Sequence, residues 1–183
     1  MGEVRDEIPV TYGSGPSDPL RVEDQPGTWV EIEIDAPVEV VWSLVADIEL
    51  SARFSDEFLG ANWVDGQCSV GASFVGRNRH PVAGEWEAPG FVEVWDEGRS
   101  FAWATMDRDH PGARWRFDLE PVDDDRTRLR YSMSLGPGTS LMTAAIEAMP
   151  DKEPQILRHR LREHHANMTR TVEGIAEMAE ARA

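Results

Sequence analysis

The chain has 183 residues, with 18 Lys plus Arg against 34 Asp plus Glu and a formal net charge of -16. That length predicts one domain, and a hydrophobic content of 40% with seven Trp and six Phe excludes a disordered chain. The excess of acid, with no Lys/Arg cluster to offset it, argues against nucleic acid and anionic membranes as partners.

Residues 1 to about 27 carry Pro9, Gly13, Gly15, Pro16, Pro19, Pro26 and Gly27 among acidic and small residues, without a period of two or of 3.6. They form an irregular N-terminal arm, either a disordered tail or a segment lying along the surface through Val10, Tyr12 and Leu20. Residues 28–183 are expected to make a single domain. From Trp29 the pattern turns to strict alternation, with Val30, Ile32 and Ile34 opposing Glu31, Glu33 and Asp35, as in a half-buried strand. Pro37 and Glu39 suit the first turn of a helix whose apolar face is Val38, Val41, Trp42 and Val45. A second short helix is predicted over Ile48 to Phe58, with Leu50, Phe54 and Phe58 at four-residue spacing.

Six strand candidates follow: Ala61 to Val64, Ala72 to Arg79, Glu85 to Trp95, Ser100 to Met106, Ala113 to Glu120 and Thr127 to Leu135. Polar breaks at Asp65-Gly66, Asp96-Glu97-Gly98, Pro111-Gly112 and Asp123-Asp124-Asp125 are short enough to join antiparallel neighbours in a meander. Trp115, Phe117 and Leu119 alternate with Arg114, Arg116 and Asp118, and Leu129, Tyr131, Met133 and Leu135 with Arg128, Arg130, Ser132 and Ser134. One sheet face is therefore apolar and the other wet. A linker follows Gly136-Pro137-Gly138 and runs to Met149-Pro150, with residues 138–149 open to reading as a helical lid over a pocket. Pro154 to Ala181 then reads as one amphipathic helix about 40 Å long. Leu157, Leu161, His164, Met168, Thr171, Ile175 and Met178 run down its apolar side. Within it, Gly174 is either tolerated at a cost of about 1 kcal/mol or marks a close approach to the sheet.

A curved sheet can bury its apolar face only by wrapping around the long helix, and the divergence of bent sheet and straight helix leaves a hollow of the kind that takes ligands. Several strings carry a resemblance on top of this order of elements. They are Ile34-Asp35-Ala36-Pro37-Val38-Glu39-Val40-Val41-Trp42, Gly71-Ala72-Ser73-Phe74-Val75-Gly76-Arg77-Asn78-Arg79, Trp115-Arg116-Phe117-Asp118-Leu119-Glu120-Pro121 and Asn167-Met168-Thr169-Arg170-Thr171-Val172-Glu173-Gly174-Ile175. Over about residues 28 to 180 the chain resembles the START/Bet v 1-like (SRPBCC) superfamily, especially its bacterial polyketide cyclase/dehydrase and lipid-transport members. The resemblance implies an α+β helix-grip fold: a curved antiparallel sheet of about seven strands around a long C-terminal helix, with two short helices after strand one. The superfamily includes aromatase/cyclases, hydrolytic and condensing enzymes, lipid carriers, hormone receptors and co-chaperones, so chemistry has to be read from the pocket itself.

Alternation through Phe74, Gly76 and Asn78 puts the Asn78 amide on the cavity face, to orient a ligand carbonyl or to tie down a neighbouring strand. His164 lies in the apolar stripe, as an acid or base near neutral pH or as a structural histidine bonded to a carbonyl, while His159 and His165 fall on more exposed faces. Trp86, Trp103, Trp115 and Tyr131 supply large walls with polar handles, suited to a flat ligand or to core packing. Parity sends Arg77 and Glu85 to the outer face. The single thiol, Cys68, has no partner for a disulfide or a zinc site, and the His spacings make no metal-binding motif. No phosphate loop or dinucleotide fingerprint is present, so no metal and no cofactor is expected. With no apolar leader in Met1 to Glu7 and no span of membrane length, a cytoplasmic protein is expected.

Three functions fit these residues. The favoured one is a binding module for a hydrophobic small molecule, lipid or polyketide-like, held between the sheet and the C-terminal helix. The resemblance also implies an enzyme that performs aldol cyclisation and dehydration in the same cavity, with Asn78 or Tyr131 polarising a carbonyl and His164 moving a proton. The third is an interaction protein with a vestigial pocket and an acidic binding surface. The sequence leaves the ligand, the oligomeric state and the presence of catalysis open.

Overall fold

In the computed structural model, residues 8–11, 20–64, 66 and 68–183 are described. Strand β1 (Gly27–Ile34) buries Ile34 completely and leaves Glu31 and Glu33 exposed, following the alternation of its sequence. Helix α1 (Val38–Val45) follows after Pro37 and buries Val41, Trp42, Leu44 and Val45. The predicted second helix is corrected: only Leu50–Arg53 winds, as a 3-10 helix, and Phe58 already belongs to strand β2 (Phe58–Trp63). Ser55 ends the winding, because its Oγ accepts the N–H groups of Glu57 and Phe58 at 3.1 and 2.9 Å and so competes with a helical hydrogen-bond pattern.

The remaining strands are β3 (Ser73–His80), β4 (Gly84–Asp96), β5 (Ser100–Thr105), β6 (Ala113–Asp123) and β7 (Arg126–Leu135). They form a seven-stranded sheet in the order β1-β7-β6-β5-β4-β3-β2, antiparallel throughout. Consecutive hairpins from β2 to β7 make the expected meander, and β1 closes onto the far edge. A register shift between Val92 and Val94 reverses the parity of β4. Trp95 therefore turns inward, where it meets Trp42 at 5.4 Å and Phe101 at 4.9 Å between ring centroids.

Helix α2 (Thr143–Ala148) sits in the segment after β7, and helix α3 (Glu153–Glu180) closes the chain. α3 packs on β1, α1 and β7, burying Leu157, Leu161, Met168, Val172, Ile175 and Ala179. The apolar stripe thus faces the sheet as its spacing requires, with Met178 only half-buried at its end. Gly174 is a site of close approach, though to Phe54 and not to the sheet: a Cβ there would lie 2.2 Å from the Phe54 ring.

Part of the N-terminal region packs on this frame. Thr11 and Gly27 exchange two backbone hydrogen bonds of 2.9 Å, and Leu20 joins the core at 3% exposure while Val10 is exposed. Tyr12 and Asp65, which the sequence singles out as an anchor and a turn residue, lie outside the described residues. Among the described residues no helix is long and apolar enough to cross a membrane.

Candidate ligand-binding cavity

The sheet and α3 line two neighbouring chambers that share part of their walls. The inner one, of about 130 Å³, has walls from α1, the Leu50–Arg53 turn, the sheet and α3. The outer one, of about 330 Å³, lies beneath Met106, Leu141 and Met142. Asn78, Ala88, Thr105, Trp115, His164 and Glu57 border both.

Strand register builds the inner wall. Trp103 pairs directly with Trp115, Phe101 with Phe117, and Phe117 with Tyr131, so inward-facing aromatics meet across neighbouring strands. Phe117 and Tyr131 stack at 4.0 Å with an angle of 16°, and Trp103 lies parallel to Trp115 at 6.4 Å with an angle of 12°. Phe74 meets Trp103 edge-on at 6.3 Å. The result is a wall of π faces on which a flat molecule can lie.

Two polar groups are set into this apolar surface. His164 is 7% exposed and Tyr131 6%, and among the described residues neither side chain has a hydrogen-bond partner. Both line the inner chamber. Burial, reinforced by the charges of Arg160 and His80, holds the His164 pKa well below 6.5, and burial pushes the Tyr131 phenol upward. At neutral pH the cavity therefore presents an uncharged imidazole and a protonated phenol. Asn78, half-buried beside them, donates a long 3.4 Å hydrogen bond to the Gly76 carbonyl, and among the described residues its Oδ1 has no partner.

The structure brings five of the six sequence-predicted site residues around the inner chamber or its border: Asn78, Trp103, Trp115, Tyr131 and His164. Trp86, paired with Asn78 across β3 and β4, lines the outer chamber. Arg77 and Glu85 are exposed on the outer face. Cys68 is an exposed free thiol, and among the described residues no group of three or more His, Cys, Asp or Glu is placed to hold a metal ion.

An ion-pair network at the chamber border escapes the sequence reading. Arg160 Nη1 donates to Glu57 Oε2 at 2.7 Å and its Nη2 to Glu57 Oε1, a bidentate pair with side chains 12% and 14% exposed. Arg160 Nη1 also reaches Glu163 Oε2 at 3.2 Å, and His80 Nε2 lies 3.3 Å from Glu163 Oε1. Burial, the largest single influence on Glu163, pushes its carboxyl up, but hydrogen bonds from His80 and Arg160 together bring it below the ordinary carboxylate value. One signal for Arg160 exists in the sequence: it stands four residues before His164 and three after Leu157, on the buried side of α3. Nothing local marks Glu57 as its partner.

A family model described as polyketide cyclase / dehydrase and lipid transport matches residues 28–174. The chain belongs to this family. No curated protein matches the sequence. Among solved structures, the Polyketide_cyc-like protein Cgl2372 of Corynebacterium glutamicum is 25% identical with a TM-score of 0.58, covering 85% of this chain and 92% of its own. The Zhui aromatase/cyclase of Streptomyces sp. R1128 is 17% identical with a TM-score of 0.56, covering 81% of this chain and 92% of its own. The di-domain ARO/CYC StfQ of the steffimycin biosynthetic pathway is 11% identical with a TM-score of 0.62, covering 85% of this chain and 51% of its own. The last two similarities establish the shared fold.

Proposed function

We propose that this member of the polyketide cyclase/dehydrase family binds a hydrophobic small molecule, lipid or polyketide-like, in the two chambers between sheet and α3. The observation that carries the reading is the pair His164 and Tyr131, each more than nine-tenths buried, without a side-chain hydrogen bond among the described residues and set among aromatic walls. No described side-chain polar atom is both fully buried and unpaired, so these polar atoms are open to the cavity and free to bond a ligand. A ligand hydroxyl or carbonyl supplies those bonds, while Trp103 and Trp115 supply contact area. The inner chamber alone is small, so a ligand of drug size extends into the outer one.

The test is native mass spectrometry of protein purified from its own host, followed by extraction of any bound compound and thermal melting with that compound added back. A retained apolar molecule that raises the melting temperature supports the reading, because a ligand that binds the folded state must stabilise it. A chain that arrives empty and gains no stability from hydrophobic or polyketide-like compounds overturns it.

One observation favours a second reading, an enzyme for aldol cyclisation and dehydration. A neutral imidazole and a protonated phenol flanking the same Trp115 ring are a base and a hydrogen-bond donor in their working protonation states. His164 would take the proton α to one carbonyl while Tyr131 steadies the oxygen of the carbonyl under attack. The new C–C bond closes the ring and leaves an alkoxide that takes the proton back from His164, and loss of water then forms a C=C double bond. Likeness of fold to the Zhui aromatase/cyclase accords with this reading. Turnover of a poly-β-ketone that survives unchanged in both His164→Ala and Tyr131→Phe would remove these residues from such a mechanism.

A further inference from the structure

Among the described residues the charged side chains lining the two chambers are Asp47, Glu57 and Arg160. The one cation is already committed. Both terminal nitrogens of Arg160 are engaged by the two Glu57 oxygens, and Nη1 also meets Glu163. This bidentate arrangement is the geometry Arg uses to recognise a carboxylate, here satisfied from within the chain. The other polar side chains lining the inner chamber, among them Tyr131, His164, Asn78, Ser55, Thr105 and Asn167, are uncharged donors and acceptors. A ligand carboxylate entering would shed its water, find no uncommitted cation, and sit near the carboxylates of Glu57 and Asp47. A hydroxyl or carbonyl on the same skeleton would find all the partners it needs.

We propose that the cavity selects uncharged hydroxyl- or carbonyl-bearing aromatic ligands and rejects carboxylates of the same shape, with Glu57 as the specificity-determining residue because it occupies Arg160. This selectivity rests on the cavity reading above, but the two fail differently. Calorimetric titration at pH 7.5 with 2-naphthol and with 2-naphthoate compares one skeleton in neutral and anionic form. The wild-type chain binds the naphthol about tenfold or more tighter, the ratio expected when a charged group goes unpaired. In Glu57→Gln the freed edge of Arg160 raises naphthoate affinity by about tenfold while naphthol changes little, and adding Arg160→Gln takes the gain away.

Equal wild-type affinity for the two probes overturns the selectivity and leaves the cavity reading standing. Binding of neither probe overturns the selectivity for aromatic ligands and leaves the cavity reading to its own test. A Glu57→Gln protein that melts cooperatively yet shows no gain for naphthoate overturns the role of Glu57. Should that variant fail to fold, the wild-type ratio still decides the selectivity.

Discussion

The imidazole of His164 stands edge-on to the indole of Trp115, with ring centroids 5.0 Å apart and planes at 87°. This contact sets the ring against the cavity wall, so α3 and Trp115 together orient His164. The same burial keeps it uncharged.

A pH dependence of stability follows. In the unfolded chain His164 takes a proton near its ordinary value of 6.5, whereas in the folded chain it resists protonation to well below that. Between the two values the unfolded state holds more protons, so stability is complete above about pH 6.5 and declines as pH falls. The slope from one such group approaches about 1.4 kcal/mol per pH unit. His165, also lowered by burial, acts in the same direction. Urea denaturation of the wild type and of His164→Asn at pH 7.5, 6.5 and 5.5 isolates the effect. The variant should lose less stability on acidification, and parallel curves would show that His164 is not held neutral.

Ala88 borders both chambers and pairs with Gly76 across β3 and β4. Ala88→Leu places a branched side chain in open space between the inner and outer chambers. As a small-to-large change at a cavity wall it should cost no more than about 1–3 kcal/mol. Ligand-dependent stabilisation in a thermal melt should disappear. An undiminished ligand shift in the variant would place the ligand elsewhere on the protein.

How far the sequence shows this site depends on the range of the interactions involved. Alternation in β6 and β7 places Trp115 and Tyr131 inward, and the spacing of α3 does the same for His164, because both follow from local periodicity. Trp95 required the bulge near Glu93, which no alternation rule reveals. The end of the second helix at Ser55 turned on a side-chain hydrogen bond that competes with a plausible four-residue period. Glu57 and Arg160 are 103 residues apart, and only the closure of α3 over the β2 edge makes them partners. Charged residues also read as solvated faces by default, which hid the network from composition and period alike.

Gly174 offers a test of packing against propensity. Replacing Gly by Ala in a helix interior favours the helix by about 1 kcal/mol. Here the added Cβ would meet three atoms of the Phe54 ring at 2.2 to 2.4 Å. Displacing that ring costs about 1–3 kcal/mol, so Gly174→Ala should leave stability unchanged or reduce it by up to about 2 kcal/mol. In a Phe54→Ala background the same substitution should stabilise by about 1 kcal/mol. The change of sign across the cycle is the diagnostic. Equal effects of Gly174→Ala in both backgrounds would mean that Phe54 does not rest on this glycine.

Glu153 opens α3 at 7% exposure and ties down the segment before β1. Its Oε1 accepts the Val22 N–H at 2.8 Å, and its Oε2 accepts from Arg21 Nη1 at 2.8 Å. The two bonds differ in worth because the Arg21 side chain is 45% exposed and water replaces its partner, whereas the Val22 amide gains its bond from a buried carboxylate. Glu153→Ala should therefore cost about 1.5–3 kcal/mol, the range for hydrogen bonds to a charged group, together with the loss of a negative charge at a helix N-terminus. Arg21→Ala should cost much less. Amide hydrogen exchange separates the two: protection at Val22 should collapse in Glu153→Ala and persist in Arg21→Ala, and similar protection in both variants would assign the anchoring to Leu20 and the core it enters.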